Sequence, residues 1–160
     1  FNLSDNTDLD YTTKKGTGFT VFAEVIDGKV VRVIVAEQDF IDSGAVGDAS
    51  RWIQTSYNTR QGVHYAETAN GNYLPDGGTA LRGNYAGVGY EYNTGLDAFI
   101  APKPNSSWTS WTVNSTIYMY ESPLGKMPTD ANVELGQYYE WNEDAYQANN
   151  QTGWILVTPE

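Results

Sequence analysis

A chain of 160 residues suits one domain or two small ones, and its 40% hydrophobic share is enough for a core, which argues against intrinsic disorder. Twenty acidic residues against nine basic ones give a formal net charge of −11, so no basic patch is left to neutralise phosphates, and nucleic acid and anionic membrane surfaces are both disfavoured as partners. The chain contains no cysteine, which removes disulfides, thiolate nucleophiles and cysteine-based metal sites, and no apolar run is long enough to span a membrane.

The 12 Tyr, 5 Trp and 16 Gly, with abundant Asn, Thr and Val, fit pleated surfaces joined by tight turns, which predicts an all-β fold. No signal peptide is visible. A start at Phe1 in place of Met leaves a fragment, a processed product and an unrecorded start all open.

Residues 1–18 are polar and aperiodic and are expected to form an arm that orders against a neighbour. The runs TVFAEV and VVRVIVAE flank Asp27-Gly28, a hairpin signal. The second run, Val30 to Val35, is nearly all β-branched, which predicts a central strand covered on both faces. Residues 37–84 are rich in turn residues. Asp48-Ala49-Ser50 before RWIQ predicts one capped helical turn, with the Trp52 ring anchoring the loop.

From residue 85 an internal repeat appears. YEYN, then Phe99 and Pro102, is followed by WTVN, then Tyr120 and Pro123, at the same offsets. A third start, YEWN at 139–142, carries a longer turn, NEDAYQANNQTG, before WILV. At least three antiparallel hairpins are predicted over residues 85–160, with Asn93 and Asn114 at equivalent turn starts and Trp141 paired with Trp154 across the third. APKPNSS at 101–107 marks a module boundary.

Catalytic strings are weak. Asp42-Ser43-Gly44-Ala45 is similar to the aspartate string of retroviral-type proteases, but no companion strand-and-glycine signature follows, and a turn at a strand end is the simpler reading. His64 is the single histidine and has no nucleophile elbow to serve; it reads as a packed or hydrogen-bonded side chain on a strand or extended loop. Asp5, Asp8 and Asp10 lack calcium-loop spacing, and the glycines of NYAGVGYEY do not make a phosphate-cradling loop. Glu143 and Asp144 beside Trp141 suggest a glycosidase pair, yet adjacent strand residues point to opposite faces, so a turn is expected. The best candidate binding surface is the aromatic set Trp108, Trp111, Tyr118, Tyr120, Tyr138, Tyr139 and Trp141. Such rings serve protein interfaces or stack on sugars, and about half are expected in the hairpin core because strand side chains alternate between faces.

VVRVIVAEQDFIDSGAVGD, RWIQTSYNTRQGVHY, PDGGTALRGNYAGVGYEY and DAFIAPKP, with the hairpin units after them, run in order along residues 22–157. Together they resemble a family of virion-associated structural proteins of marine cyanophages, T4-like and related tailed phages. The resemblance implies a virion location exposed to the medium, partners among other virion proteins, and homo-oligomer or lattice contacts. It supplies no catalytic or ligand residues. The chain departs from the family in the segment ahead of FAEV and in its long third hairpin.

The expectation is an all-β protein of antiparallel hairpins and small sheets with long ordered loops. It is divided into an arm at 1–18, a main body at 19–104 and a tandem aromatic-hairpin module at 105–160. It is expected to be a structural part of a phage particle, a capsid decoration or a tail or fibre building block, and not an enzyme, with no cofactor or metal. The alternative is a carbohydrate-binding or receptor-binding tip of a fibre or spike that meets a host surface glycan.

Overall fold

The structure, a computed structural model, describes residues 20–160; the arm at 1–18, with Asp5, Asp8 and Asp10, lies outside the described residues. The described chain is all-β, made of short antiparallel strands with two short α-helices. It forms two compact units. The first runs through Pro102 and takes in Ser115–Met119, and the second comprises Lys103–Asn114 and Tyr120–Glu160.

In the first unit, β1 (Thr20–Ile26) and β2 (Lys29–Ala36) form the predicted hairpin. Asp27 (φ 50°) and Gly28 (φ 75°) both adopt positive φ, the geometry of the turn whose twist matches the flanking strands. Beyond β2 come α1 (Gln38–Asp42) and the expected helical turn, Ala49–Arg51. The Asp48 carboxylate caps that turn by accepting from the Ser50 N–H at 2.9 Å. β3 (Trp52–Thr55) then returns beside β1. The sheet is completed by β7 (Glu91–Asn93) and β8 (Ala98–Ile100), in the order β3-β1-β2-β7-β8. A separate sheet joins β4 (Thr59–Arg60), β5 (Val63–Glu67) and β6 (Tyr73–Pro75).

The strands covered on both faces are the middle of β1 and the whole of β8, not β2. Val21, Phe22, Ala23 and Glu24 are all buried, whereas Val31 and Val35 of the β-branched run are exposed. β2 pairs with β1 along its length but with β7 only at Lys29–Glu91, and Val30 bonds the adjoining Gly89 and Tyr90. Alternation along β1 feeds two cores. Phe22 packs with Ala36, Ile41 and Trp52, and Ala23 packs with Val30, Ala86 and Phe99. Glu24 is buried in the same row and is paired by Arg32 at 3.0 Å, whose guanidinium lies 4.9 Å from the Trp52 ring centre.

Short strands leave many backbone groups for side chains to satisfy. Asn84 is buried; its amide donates to the Phe99 and Tyr118 carbonyls at 2.8 and 2.9 Å, and its oxygen accepts from the Gln61 N–H at 2.7 Å. The neighbouring Arg82 donates to the Gln54 carbonyl and to Asp97. The segment at Arg82–Ala86 thus holds strand ends that share no ladder. Replacing Asn84 with Ala strands three backbone groups, and we expect a loss of about 2–4 kcal/mol by urea denaturation.

The repeat is present in the backbone. β7 and β8 form one hairpin, with Tyr92 opposite Phe99 and ring centres 5.3 Å apart. β9 (Thr112–Asn114) and β10 (Met119–Glu121) form the next, and β11 (Tyr138–Trp141) with β12 (Trp154–Val157) the third. The first two turns share their geometry. Asp97 (φ 46°) and Tyr118 (φ 53°), at matching places after Asn93 and Asn114, both take the left-handed conformation. Asn93 accepts from the N–H of Leu96, three residues on, at the start of its turn. Pro102 and Pro123 each lie just past the end of the second strand, where no ladder donor is needed.

Candidate functional site

The segment expected to be a long turn in the third hairpin contains a helix, α2 (Glu143–Ala148). Asn142 caps it by accepting from the Ala145 N–H, and Glu143 and Asp144 fill its first turn, where negative charge is favoured. β11 and β12 leave the helix as an antiparallel pair in which Trp141 stands opposite Trp154, as the repeat predicts.

Around that pair four tryptophans converge. Trp141 and Trp154 meet edge to face with centres 5.3 Å apart. Trp111 meets both, at 5.8 and 5.9 Å, also edge to face. Trp108 lies 4.8 Å from Trp111, and Tyr146 of α2 lies 5.4 Å from Trp141. These separations and tilts are those aromatic quadrupoles prefer. The approach is close enough that a Cβ at Gly153 would fall 2.3 Å from the Trp141 ring, so only glycine fits there.

The hub of the arrangement is Glu143. Its carboxylate accepts from the Trp141 indole N–H at 2.8 Å, the Ser110 hydroxyl at 2.8 Å and N–H at 2.9 Å, the Thr109 hydroxyl at 3.0 Å and the Gln147 amide at 2.9 Å. Burial pushes this carboxyl upward, but donation by Trp141, Gln147 and Ser110 outweighs it and holds the group at about 2, below its ordinary 4.5. A carboxylate so committed to stabilising donors is a structural anchor, not a proton donor in the neutral range.

The seven aromatics singled out in sequence therefore separate. Trp108, Trp111 and Trp141 belong to the cluster, with Trp141 buried. Tyr120 lies under Lys103, whose ammonium is 5.5 Å from its ring centre, and the Tyr139 hydroxyl donates to Asp130. Tyr118 lies in the first unit, against Gly62 and Gly83. Tyr138 is exposed.

The outward-facing apolar side chains of the second unit are of a different kind. Val133 is 81% exposed and Leu135 62%, joined by Met127, Leu124, Tyr138 and Leu156. Val133 and Leu135 sit on a single 3₁₀ turn, Val133–Leu135, that is fixed from both sides. Asn132 accepts from the Glu134 and Leu135 N–H groups, Gly136 closes the turn in the left-handed conformation, and Gln137 bonds back to Asn132 and on to Thr158. The hydrogen-bonded backbone, not chance mobility, holds these side chains toward solvent.

The weaker strings resolve simply. Asp42 closes α1 instead of a strand, is exposed, and accepts from Gln38 within the same helix. His64 lies on β5 and meets Asp76 at 2.7 Å; that contact and the Gly78 N–H hold the Asp76 carboxyl below its ordinary value. Among the described residues, no three His, Cys, Asp or Glu side chains gather as a metal site, and no helix is long and apolar enough to cross a membrane. No family model, curated protein or solved structure matches the chain.

Glu143 was readable in sequence as part of a helix cap, since Asn-Glu-Asp is a helix start signal, but not as an acceptor for Ser110. A pH series tests its role. Between about 2 and 4.5 the unfolded state binds the proton that the folded state refuses, so the stabilisation is full above pH 4.5 and is lost as pH falls through about 2. We expect Glu143→Gln to be less stable than wild type at neutral pH, with the gap closing toward pH 2, in urea unfolding followed by tryptophan fluorescence.

Proposed function

We propose that this chain is a non-enzymatic structural module of a tailed-phage virion, working through repeated contacts with copies of itself and with other virion proteins. The observation that carries the contact role is the rigid turn presenting Val133 and Leu135, since large apolar side chains held outward mark interaction surfaces on soluble proteins. The virion setting is supported by the ordered strings that resemble cyanophage structural proteins. The net charge of −11 favours a soluble, exposed building block. A glycan-binding role for the C-terminal aromatics has less support, because most of the tryptophan surface is spent on neighbouring tryptophans.

Sedimentation velocity over a concentration series tests the contact role. The wild-type chain is expected to form a defined oligomer, and the double variant Val133→Asp, Leu135→Asp to sediment as a monomer with unchanged circular dichroism. A wild type that stays monomeric throughout, or a variant that assembles normally, overturns the assignment.

The absence of enzymatic activity has its own test. The wild-type chain is expected to cleave no peptide substrate, and Asp42→Asn to have no activity to lose. Cleavage by wild type that vanishes in the variant restores the protease reading.

A further inference from the structure

The hydrogen-bond parity of the β11–β12 ribbon fixes which backbone groups face outward. Asn142 donates to the Gly153 carbonyl at 2.8 Å, in line with the register of the ribbon, so 142–153 is a hydrogen-bonded pair of the ladder. Bonded and non-bonded pairs alternate, so Glu140–Ile155 and Tyr138–Val157 bond across the ribbon. The N–H and C=O groups of Trp154 and Leu156 then point away from β11. Among the described residues, no group bonds to them. We propose that this edge of β12 pairs antiparallel with β12 of a second copy of the chain, about a two-fold axis at Ile155, joining two ribbons into one four-stranded sheet. The inference rests on the self-contact role proposed above and gives that contact its geometry.

Other strand edges in the chain carry a guard. Pro75 lies in β6, the Arg82 carbonyl accepts from the Phe99 N–H of β8, and the Arg82 guanidinium takes the Gln54 carbonyl of β3. β12 has no such device. It reads Trp-Ile-Leu-Val, with no charge, no proline and no break in register, which is the composition of an edge open to strand addition.

Charge and symmetry identify the occupant. Two copies, each with net charge −11, meet with least repulsion where neither carries charge, and residues 145–159 hold no charged side chain. Trp154 and Leu156 flank Ile155, so rotation about Ile155 sets Trp154 of each copy opposite Leu156 of the other. Both pairs are then of the hydrogen-bonded type, and every outward group of the two strands is satisfied at once. Paired residues share a face, so the Leu156 side chain, 43% exposed, gains cover from the second copy's Trp154 ring. The turn that presents Val133 and Leu135 lies at the end of the same ribbon: Gly136 sits against Pro159, and the Gln137 amide donates to the Thr158 hydroxyl.

The chain has no cysteine, so a single introduced cysteine reports the register. At the axis, Ile155 of each copy forms a non-bonded pair with Cα atoms about 4.5 Å apart, within the roughly 4.4–6.8 Å that a disulfide spans. The two Leu156 residues are diagonal neighbours about 7–8 Å apart, out of reach. Under mild oxidation of the full chain, Ile155→Cys should give a disulfide-linked dimer and Leu156→Cys should not. In sedimentation velocity, Leu156→Pro, which removes only an outward donor, and Leu156→Lys should each run as a monomer with unchanged circular dichroism. Cross-linking of Ile155→Cys that persists alongside Val133→Asp and Leu135→Asp supports the edge and removes the turn from the contact. A wild type that assembles while Ile155→Cys stays unlinked sinks the strand pairing and leaves the contact role standing. Preferential linking of Leu156→Cys, an oligomer that survives both Leu156→Pro and Leu156→Lys, or a wild type that is monomeric throughout also overturns the pairing.

Discussion

Strand β1 is the constraint on which the first unit depends. Four consecutive buried side chains, Val21 to Glu24, require cover on both faces and a partner on both edges. β2 and β3 supply the edges. The faces are covered by Ile41 of α1 with Trp52 on one side and by Phe99 of β8 with Ala86 on the other. A strand of this kind can carry one charge only if that charge is paired, and Arg32 does this for Glu24 while its guanidinium lies over Trp52. The row Arg32–Glu24–Trp52 thus crosses three strands in register.

Where strands are short, polar side chains take over the work of a ladder. Asn84 satisfies backbone groups near β8, at Tyr118 and at Gln61, and the Thr55 hydroxyl accepts from the Ala86 N–H. Three-residue strands have too few ladder bonds to fix loops as long as these, so each buried side-chain bond replaces part of a missing sheet.

The second unit solves the same shortage with aromatic mass. A two-stranded ribbon is marginal by itself, and β11 with β12 becomes a scaffold only because Trp108, Trp111 and Tyr146 close over the Trp141–Trp154 pair. Glu143 ties this packing to the loop at Thr109 and Ser110 by accepting from both. With the tryptophans consumed inward, the side chains left for partners are aliphatic ones on a hydrogen-bonded turn.

The sequence by itself determined what is local. The Asp27-Gly28 turn, the Asp48 cap, the three C-terminal hairpins and the Trp141–Trp154 register follow from φ preferences, side-chain caps and two-residue alternation, all of which act over a few residues. Tertiary structure decided which faces are covered. The β-branched run at Val30–Val35 reads as doubly buried, but burial depends on what packs over each face of the sheet, and Val31 and Val35 are left exposed. The helix at Glu143–Ala148 had a legible cap that its hairpin context masked. The Thr109 and Ser110 donors to Glu143 carry no spacing signal, because they come from a segment more than thirty residues away that chain folding alone brings to it.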